Sequence, residues 1–313
     1  MNITEAREAL DRLIRKSRIH FYKPIDEISS ELFGRVCTSS SRFQDNLFDQ
    51  NAIPPEVLQV LGSVNRETGG SIEAYIYGRF MDRHSQLRQA LDYCNSSSPG
   101  TFSVKKFIDS FRNEPGLKRS LDKVYEIIVY ALFSALAEAV NLRVEVSADE
   151  SKSGILSEFG DFAEKVMRLT PDCLSRSEPA RIYRAGTTNA ADRGIDIYSS
   201  WGAVIQVKHL RLDEELAEDI AGNISSDRVI IVCRDADKGI ILSLLTQIGW
   251  RSHIQSIITE DELVSWYGKA LRGKYSDMTG EKLLSYLRSE IANEFPATDN
   301  IPRILKSRQY KGV

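Results

Sequence analysis

GIDIYSSWGAVIQVKHL, residues 194–210, is the stretch on which the reading of this chain turns. Two runs rich in β-branched and apolar residues flank a short polar turn, and the second run, AVIQVKHL, is interrupted at Gln206 and Lys208. Folded as a hairpin with its midpoint at Trp201, the two runs bring Asp196 opposite Gln206, and cross-strand partners have Cβ atoms about 4.5–5.5 Å apart. The two-residue period of a strand puts Lys208 on the same face as Gln206. An acid, an amide carbonyl and an ammonium thus converge at one end of a sheet. Oxygen donors at this spacing suit a hard divalent cation such as Mg²⁺, which takes one or two carboxylates together with waters and phosphate oxygens. The ammonium beside them can orient an attacking water and offset charge that develops on a phosphate. A lone Asp or Lys at a strand end is ordinarily solvated surface. Here the polar positions interrupt a run that otherwise reads as interior strand, where polar groups need partners or a purpose.

Outward from this hairpin the chain alternates helix and strand. Upstream, LKRSLDKVYEIIVYALFSALAEAVN is a long helix apolar on nearly every side, followed by LRVEVSA as a short alternating strand and GILSEFGDFAEKVMRLT as a helical stretch. RIYRAG and GIDIYSS read as strands. Downstream, LDEELAEDIAGNI reads as an acidic-faced helix, DRVIIVCRD as a buried strand, KGIILSLLTQIGW as a helix and SHIQSIIT as a strand. The order predicts an α/β core with a mixed central sheet flanked by helices. Residues 25–115 read as mainly helical with polar connections, after an opening helix in which Ala6, Ala9, Leu10, Leu13 and Ile14 recur at helical spacing. From Thr279 onward a further helix, KLLSYLRSEIANEF, precedes a basic, proline-containing end. Three regions result: residues 1–115, mainly helical; 116–278, the α/β core; and 279–313, a helix with a basic tail.

Composition sets the bounds. The 313 residues are 42% hydrophobic and 27% charged, an ordinary globular balance with a formal net charge of −3, so a polyanionic partner must be met by a local patch. No window reaches the roughly 18 apolar residues of a membrane span, and the N-terminus lacks the apolar segment of a secretory signal. The expectation is a cytoplasmic protein with no membrane partner. Cys37, Cys94, Cys173 and Cys233 are scattered without a CxxC pair, which argues against a zinc site or a disulfide framework.

The pattern GIDIYSS…VIQVKHL resembles the PD-(D/E)XK nuclease superfamily, with Asp196 as the second acid of the motif, Gln206 at its D/E position and Lys208 as its lysine. Gln206 departs from the commonest pattern by removing one anionic ligand. The resemblance implies a restriction-endonuclease-like core and a glutamate supplied by the helix before the first strand. Glu126, the sole charged residue within VYEIIVYALFSAL, matches that place. Its alternative is a structural carboxylate paired with a residue such as an arginine on a neighbouring element. In the implied mechanism Asp196, the Gln206 side-chain oxygen, the Val207 backbone carbonyl and Glu126 hold Mg²⁺, and Lys208 positions the attacking water.

EALDRLIRKSRIHFYKPIDEI at the N-terminus and NAADRGIDI before the hairpin are similar to the HaeII type of type II restriction endonuclease. That resemblance implies a homodimer that cuts both strands of double-stranded DNA at a short palindrome, leaving 5′-phosphates, alongside a cognate DNA methyltransferase; a GCGC-containing site is the first to try. Rival readings are a Mrr-like or repair nuclease acting on modified or structured DNA, and a DNA-binding protein that has lost cutting activity. Phosphate contacts supply nonspecific affinity and base-edge contacts supply sequence choice. The candidates are Arg15, Lys16 and Arg18 in the first basic cluster, Thr188, Asn189 and Arg193 in the loop before the hairpin, and a second cluster at Arg303, Lys306, Arg308 and Lys311. Each cluster read alone is more often a solvated helix face or tail, and Arg193 could equally form a surface salt bridge. Asp192 suits a turn or an outer carboxylate, and His209, on the face opposite Lys208, suits a structural role.

Overall fold

The computed structural model describes residues 60, 63–69, 71–114, 117–185, 195–224 and 226–295. The chain divides into two compact units, Met1–Leu87 with Ala297–Val313 and Arg88–Pro296, and the central sheet lies in the second. In chain order the helices and strands are α1 (Ser71–Ser96), α2 (Val104–Asn113), α3 (Leu121–Ala139), β1 (Arg143–Ser147), α4 (Ser153–Glu158), β2 (Ser175–Pro179), β3 (Ile182–Arg184), β4 (Ile197–Ser199) and β5 (Val204–Val207). They continue with β6 (Arg211–Leu212), α5 (Glu214–Asn223), β7 (Val229–Cys233), β8 (Asp235–Ala236), α6 (Lys238–Gln247), β9 (Ile254–Thr259), α7 (Glu260–Arg272) and α8 (Ser276–Glu294).

The sheet has five strands in the order β3-β4-β5-β7-β9. The β3–β4 and β4–β5 pairs are antiparallel, and the β5–β7 and β7–β9 pairs are parallel. This is the mixed α/β arrangement that the order of elements predicts. β7, VIIVC, is apolar throughout because it lies between two parallel neighbours with both faces covered. Val229, Ile231 and Cys233 on one face pack with Ala217 and Ile220 of α5 and with Ile241 and Leu245 of α6. Asp213 caps α5 by accepting the Leu216 N–H at 3.0 Å, and Asp237 caps α6 through the Ile240 N–H at 3.1 Å.

α3 buries Val124, Tyr125, Ile127, Ile128, Val129, Ala131 and Leu132, which explains a sequence apolar on nearly every side. It touches β3 and β5 and packs along α8. α7, which the sequence reading did not single out, begins with a capping box between Thr259 and Glu262 and buries Leu263, Tyr267, Ala270 and Leu271.

Two expectations need correction. The strand in LRVEVSA does not join the core sheet; β1 pairs antiparallel with β2 in a separate two-stranded ribbon. Both strands alternate only between exposed and half-buried positions, so neither offers an apolar face to a core. The stretch from Gly154 to Thr170 is not one helix. It breaks into α4, a single turn at Gly160–Phe162 and a π-helical turn at Ala163–Met167 that ends at Arg168 with φ of 57°. Its apolar residues Phe159, Phe162 and Val166 are exposed and only Leu156, Ala163 and Leu169 are buried, too sparse a stripe to stabilise one longer helix. Among the described residues, no helix is long and apolar enough to cross a membrane.

Candidate active site

β4 and β5 form the hairpin. Ile197 pairs with Ile205 and Tyr198 with Val204, a register symmetric about position 201. One further step of that register sets Asp196 against Gln206, as the sequence spacing requires. The turn is held by Ser199, whose backbone N–H and hydroxyl both donate to the Ala203 carbonyl at 2.9 Å, and whose hydroxyl accepts the Ala203 N–H at 2.9 Å. Gly202 takes a φ of +91°, a conformation that disfavours a side chain. At the other end of the hairpin the Asp196 carboxylate accepts the Val207 N–H at 2.7 Å, which locks the acid against β5. On the following residue the Lys208 N–H donates to the Val232 carbonyl at 2.8 Å, tying the end of β5 to β7.

Gln206 is only 2% exposed, and its side-chain oxygen is buried with no hydrogen-bond partner among the described residues. Such an atom is unusual, because a buried acceptor left unpaired forfeits its hydration. Lys208 is half-buried, and its ammonium forms no hydrogen bond or salt bridge with another described residue. Its charge nevertheless acts on Asp196. Burial pushes the Asp196 carboxyl above the ordinary aspartate value, while the Val207 N–H, Lys208 and Lys123 pull the other way and Asp122 adds to the rise.

Glu126 enters from α3, 4% exposed, and both of its carboxylate oxygens accept from the Lys123 ammonium, at 2.8 and 2.9 Å. The partner of this buried carboxylate is therefore a lysine one helical turn earlier. Arg184 contributes only at longer range and is itself held by Glu290 and Glu294 of α8, at 3.5 and 2.5 Å. Burial raises the Glu126 carboxyl and Lys123 lowers it, while the Asp196 charge raises it further, so the two carboxylates lie within electrostatic reach of each other. His209 pairs through Nδ1 with the Asp122 carboxylate, which fastens the end of β5 to the first turn of α3. Sequence reasoning missed Lys123 and Asp122. The i to i+3 spacing of Lys123 and Glu126 was a readable signal, whereas the His209–Asp122 contact joins residues 87 apart.

The structure thus brings Asp196 within electrostatic reach of Glu126, Lys208 and Lys123, while Gln206 adjoins Val207, whose N–H the Asp196 carboxylate accepts, and shares a strand face with Val204 beside Ile231 of β7. Among the described residues, no three His, Cys, Asp or Glu side chains cluster as metal ligands. The donor set is two carboxylates and an unpaired amide oxygen, oxygen ligands of the kind a hard cation such as Mg²⁺ takes alongside waters and phosphate. Thr188, Asn189, Asp192 and Arg193 lie outside the described residues, as do Arg15, Lys16 and Arg18 and the basic tail.

Comparison with known proteins places this chain in a family. The HaeII restriction endonuclease model matches residues 25–310, and the chain belongs to that family. It is 46% identical to the Type II restriction enzyme HaeII of Haemophilus aegyptius over an alignment covering 95% of this chain and 94% of that protein. It is also 46% identical to the Type II restriction enzyme NgoBI of Neisseria gonorrhoeae, over 98% of this chain and 96% of that protein. No solved structure matches the chain. The similarity reaches well beyond the N-terminal stretch and the hairpin that suggested it.

Proposed function

We propose that this chain is a type II restriction endonuclease with a PD-(D/E)XK core, a cytoplasmic enzyme that hydrolyses double-stranded DNA at a short palindromic site and leaves 5′-phosphates. The observation that carries the reading is the electrostatic reach of Asp196 to Glu126 and Lys208, with the buried, unpaired Gln206 oxygen one residue before the Val207 N–H that holds Asp196. Family membership over residues 25–310 supports it. Asp196, Glu126, the Gln206 side-chain oxygen and the Val207 backbone carbonyl are the groups that would hold Mg²⁺. When bound, the ion polarises the phosphodiester and lowers the pKa of water beside it.

The protein's own part is positional and electrostatic. The Val207 N–H fixes the Asp196 carboxylate, and the Gln206 oxygen lies buried without a competing donor. Lys208, half-buried and without a carboxylate salt bridge, orients the attacking water and offsets charge on the scissile phosphate. Water adds to phosphorus in line with the leaving 3′ oxygen, the P–O3′ bond breaks, and the products are a 5′-phosphate and a 3′-hydroxyl.

Residues 116–278 form the nuclease core in this reading. Residues 1–115 recognise DNA or dimerise, and the basic tail of 279–313 adds phosphate contacts. Thr188, Asn189 and Arg193 meet DNA next to the cut, with Arg15, Lys16 and Arg18 on the flanking phosphates. A palindromic site matches a two-fold homodimer, and a cognate methyltransferase would protect host DNA. Digestion of unmethylated phage DNA with Mg²⁺ and with EDTA, followed by sequencing of the fragment ends, tests the proposal. Uniform 5′-phosphorylated ends that need the metal are expected. A smear, or cutting confined to methylated DNA, would overturn it in favour of a nuclease for modified or structured DNA.

A further inference from the structure

Lys123 is the residue of this site that the nuclease reading leaves without a role. Its ammonium reaches both oxygens of Glu126, at 2.8 and 2.9 Å, and its side chain is 28% exposed against 6% for the glutamate. Its charge also acts on Asp196, so one cation serves both buried acids. A divalent cation needs the same carboxylate oxygens that Lys123 now occupies.

Resting on the reading of Glu126 as a metal ligand, we propose that Lys123 is a built-in competitor that occupies both Glu126 oxygens and must leave them for the metal to bind. The lysine thereby sets the cation affinity of the site. Binding exchanges the Lys123–Glu126 salt bridge for metal–oxygen contacts, so the apparent affinity is weakened by whatever that salt bridge contributes. Removing the ammonium removes the competitor, whereas a lysine that merely braces α3 would leave cation affinity untouched or loosen the site.

The test is Mn²⁺ binding to the full-length, DNA-free protein, read by loss of the free-ion paramagnetic resonance signal. Wild type, Lys123→Met, Lys123→Arg and Asp196→Asn are compared, with circular dichroism to establish folding. Lys123→Met should bind Mn²⁺ at least fivefold more tightly than wild type and gain more thermal stability from the ion, while Lys123→Arg stays near wild type. Should the methionine variant not fold, Lys123→Gln takes its place. A Lys123→Met affinity less than fivefold tighter, unchanged or weaker, with Asp196→Asn binding clearly lost, overturns the role of Lys123 alone. Equal binding by wild type and Asp196→Asn overturns the metal site itself.

Discussion

Gln206 shows at the scale of a single residue how a site can be recognised by what it leaves undone. A buried amide oxygen without a partner costs about 1–3 kcal/mol, which is why its presence in the middle of VIQV supports the proposed ligand role. Gln206→Met fills the same volume without the unpaired oxygen. Thermal unfolding should show it as stable as wild type or more so, while metal-dependent cutting is lost; a variant that is both destabilised and active would contradict this.

Asp196 makes a related prediction with pH. Its carboxyl is raised above the ordinary 3.8 by burial, so between that value and the raised one the folded protein holds a proton that the unfolded chain has released. Stability from this group therefore falls as pH rises through that window and stays lower above it. Asp196→Asn keeps an acceptor for the Val207 N–H and removes the penalty. In urea unfolding it should exceed wild type at neutral pH, with the difference narrowing as pH drops toward 3.8. The positions of Asp196, Gln206 and Lys208 were legible in the sequence because a strand's two-residue period and a short turn fix the register. The Lys123–Glu126 pair was open to view in its i to i+3 spacing, whereas the His209–Asp122 contact was not, because it joins residues 87 apart.

Elements are held together around the site by a second polar cluster. Arg112 of α2 donates to Glu260 at the start of α7 and, at 2.8 Å, to the Tyr125 hydroxyl of α3, while that hydroxyl donates to Glu260. Burial and the neighbouring Glu260 carboxylate push the Tyr125 phenol well up, which keeps it a donor. Three helices are thus tied at one carboxylate, adjoining the turn of α3 that carries Glu126. Removing one partner of a buried charged pair costs about 3–5 kcal/mol. Glu260 is 8% exposed and Arg112 less deeply buried, so the lower end is expected for Glu260→Ala in urea unfolding. A loss under about 1 kcal/mol, the range of surface ion pairs, would contradict a role in holding α2, α3 and α7 together. The strands of the sheet were legible from apolar runs and turn residues. β2, Ser-Arg-Ser-Glu-Pro, was not, because it carries no apolar residue and exists as a strand only through its pairing with β1.

On the scale of the whole molecule the chain is a member of the HaeII restriction endonuclease family over residues 25–310, so the family pattern extends far beyond the N-terminal stretch and the NAADRGIDI segment from which it was first read. The order of elements carried the α/β class, since helix, paired strands, helix and strand in succession leave few ways to bury their apolar faces. Which residues read bases was not legible, because a basic cluster in one sequence looks the same whether it faces DNA or water. The catalytic claim is narrower and can be isolated from that question. Single-turnover cleavage of a cognate duplex by wild type and by Lys208→Ala, with DNA binding measured on the same preparations, addresses it most directly. Loss of a preorganised charge at the reacting phosphate should slow cutting by about 10²–10³-fold with binding and folding retained. Cutting by Lys208→Ala within a few-fold of the wild-type rate would contradict the account.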